Sequence, residues 1–243
     1  MLFEVGLFLI SVIAGGVASI AGFGIGSLIT PVVSIAVGTK LAVAIVSIPH
    51  LIATALRFAM LRTHVDRRIL FSFGLMSILG GFTGAVLHTR FATPSLTFVF
   101  GMILVFAGFT GATGLSEKMR FHGVFAWIAG ALSGFLGGLV GNQGGIRSAA
   151  LLGAKISRET FVATATAIGL AVDAARMPIY FFNEHEAIFK NGTYIAMTTF
   201  GVVIGTLIGA KILKQIPERV FKKAVSGVIF FLGIFMIYQS THL

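Results

Sequence analysis

The sequence predicts an all-α integral membrane protein: two inverted repeats, each a broken-helix hairpin followed by three transmembrane helices. Three observations carry this prediction. Hydrophobic residues fill 56% of the 243 positions and charged residues only 11%, and the mean hydropathy of +0.99 is more than a water-soluble domain can hide. Apolar stretches recur at near-regular intervals with short basic connections between them. A glycine-rich segment occurs twice, half a chain apart.

The chain opens on an apolar run over 3–21. Met1–Ile10 carry no Lys or Arg, so this start reads as a first membrane segment and not a signal peptide. A glycine break follows, then a short helix over 27–38. The next helix, 41–61, contains Pro49, which should bend it. Helices over 69–88 and 95–114 complete the first half, 1–118. The second half, 119–243, repeats the order with 122–140, a break, a short 144–154, then 157–182, 191–211 and 220–240. At about 1.5 Å per residue the two short helices reach roughly 16–18 Å, about half a bilayer.

Charge sets the orientation. Arg62, Arg67, Arg68, Lys118, Arg120, Lys155, Arg158, Lys211, Lys214, Arg219, Lys222 and Lys223 fall in one set of connections; the alternate set holds Lys40, Arg90 and Lys190. Placing the first set in the cytoplasm satisfies the positive-inside rule for every connection. It requires 1–38 to start and end outside and 122–154 inside, so both are hairpins dipping into the membrane or paired thin spans. Both chain ends then lie outside, in the inner cell membrane. The net charge of +10 is this connection charge, which argues against nucleic acid as a partner.

The repeat needs an offset of 119 residues and no gap. It aligns Gly15 with Gly134, Gly22 with Gly141, Gly26 with Gly145, Val43 with Val162, Ala44 with Ala163, Ala55 with Ala174 and Arg57 with Arg176. The charge pattern inverts: the basic connection 61–68 corresponds to 183–191, NEHEAIFKN. Inverted repeats with interrupted helices are a transporter signature.

The two breaks, AGGVASIAGFGIGSLITP (14–31) and SGFLGGLVGNQGGIRSAA (133–150), each join a longer helix to a short one. Glycine permits a sharp turn and close approach of a ligand. The starts of the short helices present free N–H groups and a positive dipole end, and two such starts facing each other suit an anion. The candidate substrate-binding residues are therefore Ser19, Gly22, Gly24, Gly26 and Ser27 from the first break, and Gly141, Asn142, Gln143, Gly144, Gly145 and Arg147 from the second. Thr30 is a further donor, and Leu28 stands where Arg147 stands in the other half. Tight helix packing explains such glycines equally well, and Arg147 could snorkel to the inner surface.

Arg57 and Arg176 occupy equivalent positions near opposite helix ends and suit guards at the two mouths of a pathway, or interface anchors. Asp173, one turn before Arg176, is placed to form a local ion pair or to act as a protonatable coupling group. His50, after Pro49, can bind the anion or carry a coupling proton. Asn183, Glu184, His185 and Glu186 resemble metal ligands but fall in an external connection, so no metal is expected. The chain has no cysteine, no HExxH, no GxSxG and no Walker loop. GFGIG at 22–26 is only a partial dinucleotide string, away from any strand. Neither an enzyme nor a cofactor is expected.

At these segments the sequence resembles the TauE/SafE family of membrane permeases, also described as sulfite exporters. The likeness rests on 14–31 and 133–150. It extends to TPVVSIAVGTKLAVAIVSIP (30–49) and LLGAKISRETFVATATAIGL (151–170), and covers nearly the whole chain. It departs from the family's richer glycine run at Ile25, Asn142 and Gln143, and adds Arg147. The resemblance implies export of sulfur-containing anions such as sulfite, thiosulfate or sulfoacetate, coupled to an ion gradient. The expected partners are a small anion and the lipid bilayer. The glycine faces at 80–84 and 201–209 suit packing within one subunit or in a homodimer. The alternative is a carrier of another small anion, or of a cation or neutral solute held by Asp173 and His50.

Overall fold

The computed structural model describes residues 2–115, 123–142, 144–153, 156–213 and 218–242. Gln143 and the connection charges Lys118, Arg120, Lys155 and Lys214 lie outside the described residues. Among the described residues the chain is helical with no strand. The first half holds α1 (Leu2–Ala21), α2 (Ile25–Val37), α3 (Thr39–Leu61), α4 (Arg67–His88) and α5 (Thr93–Thr113). The second holds α6 (Val124–Val140), α7 (Gly144–Gly153), α8 (Arg158–Lys190), α9 (Gly192–Leu213) and α10 (Glu218–Ser240).

Six helices among the described residues are long and apolar enough to cross a membrane: α1, α3, α4, α5, α8 and α10. At 20 residues α1 reaches about 30 Å and can cross unaided. The 13-residue α2 reaches about 20 Å and cannot. Gly38, at φ 76°, turns α2 directly into α3. Only glycine takes that left-handed backbone without cost. Asp66 starts α4 by accepting from the N–H groups of Arg68 (2.8 Å) and Ile69 (3.2 Å).

Packing follows the small residues. α1 lies along α9, α4 along α6, and α5 along α10, while α3 and α8 pack on each other in the middle. On α4 and α6 the backbones interlock. A Cβ on Gly80 or Gly84 would strike the carbonyls of Ala131 or Phe135, and one on Gly134 or Gly138 those of Ser77 or Gly81. Gly15, Gly201 and Gly205 do the same between α1 and α9. In lipid, where apolar side chains gain little by leaving the solvent, such close backbone contact is the main source of helix association. Gly80, Gly81 and Gly84 of one glycine face, and Gly201 and Gly205 of the other, are thus engaged inside the chain. Gly134→Ala is expected to cost about 3 kcal/mol or more by forcing α4 and α6 apart. Gly6→Ala, with nothing within 4 Å of the added methyl, should change stability by no more than about 1 kcal/mol. Thermal unfolding in detergent measures both.

One element differs from the sequence expectation. The acidic stretch 183–191, expected as a connection, is helical: α8 continues to Lys190 with a single non-helical residue, Glu184 (φ −128°, ψ 17°). Ile188 is buried beyond the break, which gives that last turn an apolar anchor. Asn183 donates back to the Ile179 carbonyl at 2.7 Å and Phe181 stacks near His185. Among the described residues no group of three His, Asp or Glu is arranged to hold a metal.

Candidate functional site

The site begins with two helix breaks. α1 ends at Ala21; Gly22 (φ 73°) and Gly24 (φ 127°) turn the chain into α2. α6 ends at Val140; Gly141 (φ 76°) turns it toward α7. At these positions any side chain would strain the backbone. Each break rests on the other half's long central helix. Gly22 lies against Phe161, Val162 and Ala165 of α8, and Gly141 against Val43 of α3 and Arg176 of α8. The breaks also touch each other: Phe23 abuts Gly144, and the Gly141 carbonyl fills the space where a Cβ of Gly26 would stand. The starts of α2 and α7, with their unpaired N–H groups, are therefore neighbours.

Around them α3, α7 and α8 bring a buried polar cluster. His50 Nδ1 and Asp173 Oδ2 are 2.5 Å apart. The other carboxylate oxygen of Asp173 accepts from Arg176 Nε at 3.0 Å and forms an ion pair with Nη2 at 2.9 Å. Arg176 Nη1 donates to the Gly137 carbonyl at 2.7 Å. Tyr180 Oη donates to the Gly138 carbonyl, and His88 Nδ1 lies 2.7 Å from the Leu139 carbonyl. Those three successive carbonyls belong to the interrupted end of α6; the Gly137 carbonyl also accepts from the Gly141 N–H at 3.0 Å, while those of Gly138 and Leu139 lie past the last turn. Side chains from α4 and α8 complete the cap.

Arg57 and Arg147 are different. Arg57 is 3% exposed and Arg147 2% exposed, so neither snorkels to a surface. Arg57 Nη2 donates to Thr54 Oγ1 at 3.2 Å, and that hydroxyl lies 3.4 Å from His50 Nδ1. Arg147 Nη2 reaches the Gly22 carbonyl at 3.5 Å. In both residues Nε and Nη1 are buried without a hydrogen-bond partner. Arg147 Nη1 and the Thr54 methyl flank the same face of Gly169, so the two arginines approach one spot from either side of Thr54. Three buried guanidiniums face one carboxylate, which leaves two positive charges uncompensated when His50 is neutral. Buried N–H groups and excess positive charge in a dry place are costly unless a negative guest takes them up.

The structure thus brings Gly22, Gly26, Gly141, Gly144, Arg147, His50, Arg57, Asp173 and Arg176 together. Gly24 supports the first break: a Cβ there would collide with Val17. Gly145 lies in the first turn of α7, and Ser27 is buried in that of α2. The buried Thr30 hydroxyl, one turn further on, has no partner. Ser19 lies elsewhere: its hydroxyl bonds the Gly15 and Thr206 carbonyls where α1 meets α9. Asn142 lines a separate apolar cavity of about 170 Å³ with Met102, Ile103, Phe106, Leu136 and Ile146. Arg57 and Arg176 sit in one cluster and not at two mouths. Sequence reasoning missed Thr54 and Tyr180. Both lie one turn from a named residue, Thr54 between His50 and Arg57 and Tyr180 after Arg176, and that i, i+4 spacing was the available signal. His88 and the α6 carbonyls gave no signal.

A family model, sulfite exporter TauE/SafE, matches residues 7–236, nearly the whole chain. No curated protein and no solved structure matches it. The chain belongs to the sulfite exporter TauE/SafE family. It is a multi-pass membrane protein of a transporter family whose members move sulfur anions such as sulfite.

Proposed function

We propose that this member of the TauE/SafE family carries a small sulfur oxyanion (sulfite, thiosulfate or a sulfonate such as sulfoacetate) outward across the inner cell membrane. It does so by alternating access coupled to an ion gradient. The observation that carries the reading is the pair Arg57 and Arg147: both buried, each with two nitrogens lacking a partner, and Arg147 itself in the first turn of α7 and at the Gly22 carbonyl of the other break. An oxyanion accepts several N–H bonds at once and matches the guanidinium fork. The cation or neutral-solute alternative is weaker, because both carboxylate oxygens of Asp173 are engaged by His50 and Arg176.

The two halves, 1–118 and 119–243, are read as inverted repeats with both termini outside. Exchange of the halves maps α1 on α9 onto α6 on α4, and α3 on α9 onto α8 on α4, while α3 on α8 and α5 on α10 map onto themselves. The contacts interleave the halves. The rocking bodies are then α1, α2, α3 and α9 on one side, and α4, α6, α7 and α8 on the other. The anion sits between them, with Arg57 on the first body and Arg147 on the second.

Purified protein in detergent is the test. Sulfite, thiosulfate or methanesulfonate should raise the melting temperature, by an amount equivalent to about 2.7 kcal/mol at a hundredfold excess over Kd. Choline chloride at equal ionic strength should not. Arg57→Ala and Arg147→Ala should abolish the shift. In proteoliposomes the stabilising anion must also cross. Binding without flux would remove the carrier role, and absence of any anion effect would remove the site.

A further inference from the structure

The anion site contains one link that the anion reading leaves unused. His50 lies on α3 and Asp173 on α8, so their contact bridges the two bodies proposed to move. Asp173 is buried to 0% exposure while His50 retains 7%. The imidazole is thus the less buried member of the pair. Its charged neighbours among the described residues come from three helices. Arg57 and the Thr54 hydroxyl share its helix, Asp173 and Arg176 face it from α8, and Arg147 approaches from α7. α2, α5 and α6 carry no ionisable residue, and those of α9, Tyr194 and Lys211, stand near its two ends. The arginines stay charged at all working pH values. Of the groups that touch one another around Asp173, only His50 and Asp173 itself titrate between a carboxylate's range and neutrality; His88, on α4, is held at the Leu139 carbonyl on the far side of Tyr180.

We propose that His50 and Asp173 form a proton-binding site and that one proton binds together with the anion; this rests on the anion site between Arg57 and Arg147. The empty cluster already holds two uncompensated positive charges, which opposes a third. A dianion cancels them and admits the proton to the imidazole. The proton comes from water, and the imidazolium then donates to Asp173 with one nitrogen while its other N–H is free for the anion. By linkage each ligand strengthens the other by the same factor. The bond across α3 and α8 becomes a full ion pair only in the loaded carrier, so loading and the state of the mobile interface are coupled.

The test uses thiosulfate, which stays fully ionised from pH 6 to pH 8 and cannot bring the proton itself. Wild-type affinity is measured across that range by thermal shift or calorimetry. The expected result is binding that weakens by about tenfold from pH 6 to pH 8, with a slope no steeper than one proton. His50→Gln should show no slope, whatever its affinity. A merely structural histidine would lower affinity and leave the slope in place, which overturns the proposal. Should His50→Gln not fold, histidine-labelled wild type gives the same answer: one of the six imidazole NMR signals must titrate at higher pH when thiosulfate is added. If none moves, or wild-type affinity is flat with pH, the proton site is wrong and the anion site stands. If thiosulfate, sulfite and methanesulfonate all fail to bind at any pH, the anion site falls and this proposal with it.

Discussion

Replacing Asp173 with alanine is expected to destabilise the protein by about 3–5 kcal/mol, the cost of breaking a buried ion pair from one side. Among the described residues Asp173 is the only carboxylate with Arg57, Arg147, Arg176 and His50 in this cluster. Without it, three buried guanidiniums repel one another with nothing between them, and the hold on Arg176 that aims it at the Gly137 carbonyl is lost. The α6 end then loses part of its cap. Unfolding midpoints in detergent measure the loss. The double variant Asp173→Ala/Arg176→Met should recover about half of it, because the unpaired charge left by the first change is removed by the second. A single-variant cost below about 1 kcal/mol would mean that water already screens the cluster.

Arg147→Met should act in the opposite direction on stability while abolishing anion binding. The methionine keeps much of the length and apolar volume of the stem and removes a cation whose Nε and Nη1 have no partner. Relief of that unpaired buried charge is expected to stabilise the empty protein by about 1–3 kcal/mol. The rise in melting temperature with thiosulfate or sulfite should disappear. Arg176→Met must differ in sign: its guanidinium is bonded to Asp173 and to the Gly137 carbonyl, and its loss should destabilise by about 2–4 kcal/mol. Arg176 is then a positioning residue and Arg147 a binding one. If both variants destabilise equally, the charge ledger of the site is wrong.

Much of the architecture was legible because it depends on local composition. Apolar run length gave the membrane helices, and the glycines at 22, 24 and 141 marked breaks because left-handed backbone selects glycine wherever it occurs. The ion pair between Asp173 and Arg176 was legible from its one-turn spacing. The helical stretch at 183–190 was not, because its polar residues mask the single buried anchor, Ile188. Nor was the division of labour among the arginines. Arg57 and Arg176 are equivalent in sequence, yet one keeps two unpaired nitrogens and the other none.

The chain alone determined that it spans a membrane, that two helices are interrupted, and that basic residues stand near the breaks. These follow from short-range chemistry: hydropathy, backbone conformation and spacing along one helix. The tertiary structure decided which arginines keep unpaired nitrogens. That depends on where the severed end of α6 finds donors and on which carboxylate α3 and α8 share. Both are contacts between residues up to 123 positions apart. Electrostatic compensation in a dry interior is set by distance in space, and sequence separation carries no information about it.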